Sequence, residues 1–145
     1  MPTRTARTAW TGGLQDGSGQ VELSSSKVGT FDVSFPKRAA DDAGGTTSPE
    51  ELIAAAHSSC YAMQFSALIA QEGGTPQSLD VQADVTLGPD PAGGFAISGI
   101  KITVRGEVEG MDEAKFKEAA EAAKAGCPVS KALTGTTITL DAGLE

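Results

Sequence analysis

The chain has 145 residues, 39% of them hydrophobic and 21% charged, an ordinary globular composition that favours a single domain, residues 1–145, with a modest core. Its formal net charge of -8, with no run of Lys or Arg, repels phosphate backbones and anionic lipid surfaces, so nucleic-acid and membrane partners are not expected. Arg4 and Arg7 near the start have no apolar run behind them, so no secretory signal is read and a cytoplasmic location is expected.

Residues 5–11, 19–24 and 31–35 are rich in Thr, Val and Phe and separated by Gly, Ser and Asp, which predicts three short strands. A polar loop, 36–47, carries Lys37 and Arg38. A strong helix start follows, with Ser48 as cap, Pro49 at the first helical position and Glu51 completing an S-x-x-E capping box. The helix is expected to reach Gln71 and stop at Gly73-Gly74. Residues 52–71 contain no Asp, Glu, Lys or Arg and approach a bilayer span in length. His57, Ser58, Ser59, Gln64, Ser66 and Gln71, with alanine supplying much of the apolar content, make lipid insertion unfavourable. The better reading is a helix buried on most sides by protein, with a second subunit helping to cover it.

Val81, Ala83, Val85 and Leu87 alternate with polar residues, the period of a half-buried strand. After a turn at 89–94, Ile100, Ile102 and Val104 face one way, while Phe95 and Ile97 sit on the opposite parity. A bulge is therefore expected near Ser98-Gly99. Asp112 caps a second helix, 113–125, with Phe116, Ala119, Ala120 and Ala123 as its apolar stripe. Gly126 ends it, Cys127-Pro128 opens a helical turn through Leu133, and 136–142 closes as a strand. The order of elements implies an α+β fold with mainly antiparallel sheet.

The chain has two cysteines, Cys60 and Cys127, and no C-x-x-C. Two Cys and one His do not make a structural zinc tetrad, so no metal is expected. The pair reads equally well as two packed core thiols or as two reactive ones, a structural disulfide being less favoured without secretion. Cys60 lies on the stripe Leu52, Ala56, Cys60, Met63, Ala67, where burial raises a thiol pKa, so a reactive Cys60 needs a cation. Cys127 precedes Pro128 at a helical start, where free N–H groups and the helix dipole favour a thiolate. Arg38 is the better of two nearby cations, because a guanidinium stays charged and grips a carboxylate with two hydrogen bonds. With Glu51 occupied in the cap, Glu50 is the carboxylate free to orient it. Solvated charges would place the same residues there.

The stretch Ser48-Pro49-Glu50-Glu51-Leu52-Ile53-Ala54-Ala55-Ala56-His57-Ser58-Ser59-Cys60, paired with Gly126-Cys127-Pro128-Val129-Ser130-Lys131-Ala132-Leu133, resembles the OsmC/Ohr family of organic hydroperoxide reductases. The Ala-His before Ser-Ser-Cys, and the arginine shortly before the helix, look more like the OsmC branch. The resemblance implies an intertwined homodimer with long central helices and flanking sheets. It also implies peroxidatic Cys60, resolving Cys127, an activating Arg38–Glu50 pair, and a dithiol reductant of dihydrolipoyl type. No cofactor is implied.

Glu50 and Cys60 are ten residues apart, about 15 Å along a straight helix, so Arg38 and Glu50 are expected to serve the partner subunit's cysteine. The expected chemistry is reduction of an organic hydroperoxide to its alcohol through a Cys60 sulfenic acid and a disulfide. An apolar pocket lined partly by Met63, Phe65 or Tyr61 is expected to hold the substrate. His57, one turn before Cys60, could serve as a base or as hydrogen-bonded scaffold. A non-catalytic redox-sensing or ligand-binding dimer of the same fold is the alternative.

Overall fold

The structure, a computed structural model, describes residues 1–145 throughout. It divides into two compact units, Met1–Leu52 and Ile53–Glu145.

The first unit is a three-stranded antiparallel meander: β1 (Arg7–Thr11), β2 (Ser18–Glu22) and β3 (Thr30–Val33), in the order β1-β2-β3. The β1–β2 register pairs Trp10 with Gly19 and Thr11 with Ser18. Their connecting turn closes through the Gly17 N–H on the Gly13 carbonyl and the Gly13 N–H on Asp16. A Cβ at Gly17 would collide with the Gly13 and Thr11 carbonyl oxygens, so the tight turn needs glycine there. Within the expected polar loop lies a one-turn helix, α1 (Phe35–Arg38), with Ser34 as its cap and Pro36 in its first turn. Phe35 thus belongs to α1 and not to a strand, because Pro36 cannot donate to a ladder but suits a helix start. The loop returns through the Thr47 N–H on the Asp32 carbonyl.

The long helix α2 runs Pro49–Gln71, and Ser48 accepts the Glu51 N–H at 3.1 Å. The Glu51 carboxylate, however, takes the Thr47 hydroxyl at 2.6 Å. In the second unit, β4 (Thr75–Pro89) and β5 (Phe95–Glu109) form a hairpin of two 15-residue strands, much longer than the alternating segments alone foretold. The β4–β5 register slips between Thr86, opposite Gly99, and Leu87, opposite Ile97, which makes Ser98 the bulged residue. A second slip falls between Pro76 and Ser78. Helices α3 (Glu113–Gly126, capped by Asp112) and α4 (Pro128–Ala132) then carry the chain to β6 (Ile138–Leu144), which pairs parallel to β5. Parallel neighbours require such a crossover. The fold is α+β, with three antiparallel strand pairings and one parallel.

The core of this unit joins Tyr61, Phe65 and Ile69 of α2, Ile100, Ile102 and Val104 of β5, and Phe116, Ala119, Ala120 and Ala123 of α3. Phe65 stacks at an angle on both Tyr61 and Phe116, with centroids 5.6 and 4.9 Å apart. Gly106 lets α3 press close, since a Cβ there would meet Phe116 and Leu79 within 3.0 Å. The buried face of α2 is His57, Tyr61, Phe65 and Ile69, not the expected stripe through Ala56, Cys60 and Met63. Alanines make this helix apolar almost all round, so periodicity selects no face. The bulky side chains do, because they remove most area from water. Consequently α2 is buried along one strip rather than on most sides, and Met63 is 71% exposed.

Candidate active site

In the first unit, α1 delivers Arg38 to Glu50 at the start of α2. The guanidinium grips the carboxylate in a fork: Nε to Oε1 at 2.9 Å, Nε to Oε2 at 3.2 Å, and Nη2 to Oε2 at 2.8 Å. The Glu50 side chain is only 9% exposed and that of Arg38 33%, so one face of the cation remains open. The hydrogen bond to Glu50, against a smaller opposing effect of burial, raises the Arg38 pKa further, and the group is charged at every working pH. Beside it lies a cavity of about 310 Å³ walled by Trp10, Leu14, Val21, Phe35, Leu52 and Arg38. An apolar wall around a single cation suits a molecule with an apolar body and a polar end.

In the second unit, the Cys60 and Cys127 sulfurs stand 3.0 Å apart, both as free thiols. Cys127 is fully buried, whereas Cys60 is partly exposed. The sites differ electrostatically. Burial pushes the Cys60 thiol up, the contact with Cys127 adds to this, and the Val129 N–H only partly offsets it. Burial also pushes Cys127 up, but it is outweighed by the hydrogen bond with Cys60, the Ser130 N–H and hydroxyl, and the Val129 N–H. The Cys127 thiol thus ends below its ordinary value and the Cys60 thiol above it.

His57 makes no hydrogen bond to Cys60, one turn away on the same helix. Its Nε2 lies 2.7 Å from the Ser130 hydroxyl, and both residues are buried. Its Nδ1 is buried with no hydrogen-bond partner. Burial lowers the His57 pKa, which keeps the ring neutral. Tyr61 donates its hydroxyl to the Ala120 carbonyl at 2.9 Å. Tyr61 and Phe65 are fully buried in the core and take no part in the cavity beside Arg38, contrary to the sequence expectation. Their size drew them into the core, and the apolar cavity is built from Trp10 and Leu14 instead. Ser130 was visible only as the last residue of C-P-x-S, a spacing that returns a hydroxyl toward the first residue across one helical turn.

A mixed fold of this topology with a facing cysteine pair defines a class, and the comparisons name it. Residues 41–141 match the OsmC-like protein family, and the chain belongs to that family. Among curated proteins it is similar to "Peroxiredoxin OsmC" of Escherichia coli (strain K12), 40% identical over 136 residues, 94% of this chain and 92% of the relative. Among solved structures it resembles an organic hydroperoxide resistance protein from Elizabethkingia anophelis, with TM-score 0.79 and 26% identity, covering 100% of this chain and 98% of that one. It also resembles the organic hydroperoxide resistance protein OhrB of Bacillus subtilis, with TM-score 0.75 and 28% identity, covering 95% and 97%.

Proposed function

We propose that this protein is a peroxidase that reduces organic hydroperoxides with Cys60 and Cys127. The observation that carries the reading is the cysteine pair itself: two free sulfurs 3.0 Å apart, one reachable and one enclosed. A peroxide can meet only the reachable sulfur, so Cys60 attacks and Cys127 resolves. The names of the relatives support a peroxidase-type role.

The Cys60 thiolate attacks the terminal oxygen of the hydroperoxide. An S–O bond forms, the O–O bond breaks, and the departing alkoxide takes a proton to become the alcohol. Cys127 then attacks the Cys60 sulfenic acid; the S–S bond forms, the S–O bond breaks, and the oxygen leaves as water after protonation. The two sulfurs have lost two electrons and the peroxide has gained them. An external dithiol, of dihydrolipoyl type in this reading, returns two electrons and two protons by exchange.

Burial works against a Cys60 thiolate, so a cation must be supplied. Arg38, fixed by Glu50, is the one assigned here, and its charge would also meet the negative charge developing on the peroxide oxygens. Ten helical residues between Glu50 and Cys60 rise about 15 Å, so we assign the pair to the partner's sulfur across a homodimer that acts as one domain pair in a reducing cytoplasm. Two assays test this. Cys60→Ser should abolish hydroperoxide-dependent dithiol consumption, and retained activity would end the proposal. Mixing Cys60→Ser with Arg38→Ala subunits should restore part of the activity if the site is shared between subunits. No restoration would place Arg38 on its own subunit's cysteine.

A further inference from the structure

The helix that follows Cys127 has little of its own to hold it in place. α4 has five residues, and Cys127 at its N-cap makes no side-chain capping hydrogen bond. A helix this short is unstable alone and stays formed only against the surface it packs on. Two hydrogen-bonding side-chain contacts join this turn to α2. The Cys60 and Cys127 sulfurs lie 3.0 Å apart, and the His57 Nε2 lies 2.7 Å from the Ser130 hydroxyl. Cys60 follows His57 by one turn of α2, while Cys127 precedes Ser130 by one turn at α4, so the two contacts form an antiparallel ladder of two rungs. We propose that His57 and Ser130 are positioning residues whose contact docks α4 on α2 and so keeps Cys127 facing Cys60 before any disulfide forms. Its service to the resolving step rests on the peroxidase reading above; the docking does not.

One rung fixes a distance. Two rungs a turn apart also fix how a short helix is rotated and which of its faces looks at α2. Without the His57 rung, α4 is free to roll about the sulfur contact, and a roll carries the Cys127 sulfur out of line. Both members of the rung are buried, His57 fully and Ser130 at 4% exposure. The same strip of α2 presents Tyr61, Phe65 and Ile69 to the core, so an apolar side chain at position 57 would suit its surroundings. A buried imidazole instead costs free energy, since its Nδ1 has no hydrogen-bond partner. What it contributes is direction: a hydrogen bond forms in one register, whereas apolar contact tolerates sliding. This one stands a single turn from the two sulfurs that must meet. The role differs from a base working on Cys60, because no proton transfer is asked of His57. Either ring tautomer makes the contact, since a serine hydroxyl both donates and accepts.

With α4 docked, the two thiols are ordered in folding, and closing the disulfide needs only local movement of sulfur. With α4 loose, closure must restore the docking as well, and the effective concentration of one thiol at the other falls. Exchange with glutathione disulfide measures that concentration. Cys60 and Cys127 form one S–S bond and lose two electrons and two protons, and one glutathione disulfide takes them up to become two glutathiones. No hydroperoxide is needed, so the exchange reads the rung apart from the peroxidase reading.

The test equilibrates the full-length protein with glutathione and glutathione disulfide near neutral pH and reads the fraction carrying the Cys60–Cys127 disulfide. Ser130→Ala should lower the closure constant about tenfold, the scale of one hydrogen bond. His57→Phe should lower it alike. Two amides then separate register from general packing. In His57→Gln the amide reaches the place of Nε2 and should hold the constant near that of the wild type. In His57→Asn it reaches only the place of Nδ1, which has no hydrogen-bond partner, and should behave as His57→Phe does. A mere loosening of the core would not set the two amides apart. Closure of Ser130→Ala as ready as that of the wild type overturns the inference, as does one constant shared by His57→Gln and His57→Asn. Ser130→Ala, lacking a single oxygen, decides the matter if His57→Phe does not fold. Hydroperoxide consumption by the wild type is read separately. A lowered closure constant in the variants without that turnover keeps the His57–Ser130 role and removes the peroxidase; turnover with unchanged constants does the reverse.

Discussion

Arg38 and Glu50 sit in a unit with almost no core of its own, where Val21 is the buried apolar side chain and Trp10, Leu14, Val28 and Phe31 stand exposed. Cys60 and Cys127 sit in a unit where three rings, two helices and a sheet enclose fully buried side chains. The charged pair owes its geometry to a local device, a one-turn helix that presents a forked cation to a carboxylate. The thiol pair depends on long-range packing, for 67 residues separate its members. Charge is thus kept where water still reaches it, and sulfur where water is mostly excluded. A fixed guanidinium is worth most when carried into the drier place, since charges interact more strongly at low effective dielectric. The exposed apolar side chains of the first unit, with Met63 on α2, are consistent with the homodimer proposed above.

The largest expected effect strikes the second unit alone. Phe65→Ala removes a fully buried ring from between Tyr61 and Phe116 and should cost about 3–5 kcal/mol, read as a lower urea midpoint of the helical far-ultraviolet signal. Trp10 is the chain's single tryptophan and lies in β1, so its fluorescence follows the first unit separately. We expect its transition to come first and to stay in place in Phe65→Ala; a parallel shift would make the two units one cooperative body and break the contrast. Next in size, Arg38→Ala should lower hydroperoxide turnover about 100- to 1000-fold, the usual loss when one charge-stabilising donor is removed. The helical midpoint should move far less. Arg38→Lys should recover only part of the activity, because an ammonium cannot reproduce the fork on Glu50.

The contrast also explains what could be read in advance. Where local chemistry sets the outcome, the sequence was legible: Ser48-Pro49 starts α2, Asp112 caps α3, and the parity break at Phe95 and Ile97 marks the Ser98 bulge. The stripe Phe116, Ala119, Ala120, Ala123 is buried as its spacing implied, because Lys115, Lys117, Glu118, Glu121 and Lys124 mark the opposite side of that helix. On α2 the same method chose the wrong face, since alanine at nearly every turn leaves no polar side to read. That error hid the partner of His57, which faces Ser130 from 73 residues away. It also misassigned Tyr61 and Phe65 to a pocket. The far ends of β4 and β5, away from the 89–94 turn, were missed because Thr75-Pro76-Gln77-Ser78 and Gly106-Glu107 carry no strand alternation and are held by register rather than by propensity.

The smallest effect reaches the innermost part of the thiol end through its histidine. Burial lowers the His57 pKa in the folded protein, while an unfolded chain titrates near 6.5. Between those two values the unfolded state binds the extra proton and the folded state does not, so stability falls as pH drops below about 6.5 and continues to fall until the folded pKa is passed. His57 is the single histidine, so it is the side chain expected to dominate this window. His57→Gln keeps a hydrogen-bonding group near Ser130 but cannot take up a proton. Urea midpoints at pH 7 and pH 5.5 should therefore differ in the wild type and nearly coincide in the variant. Equal pH dependence in both would mean that His57 already accepts its proton in the fold, with Nδ1–H finding an acceptor.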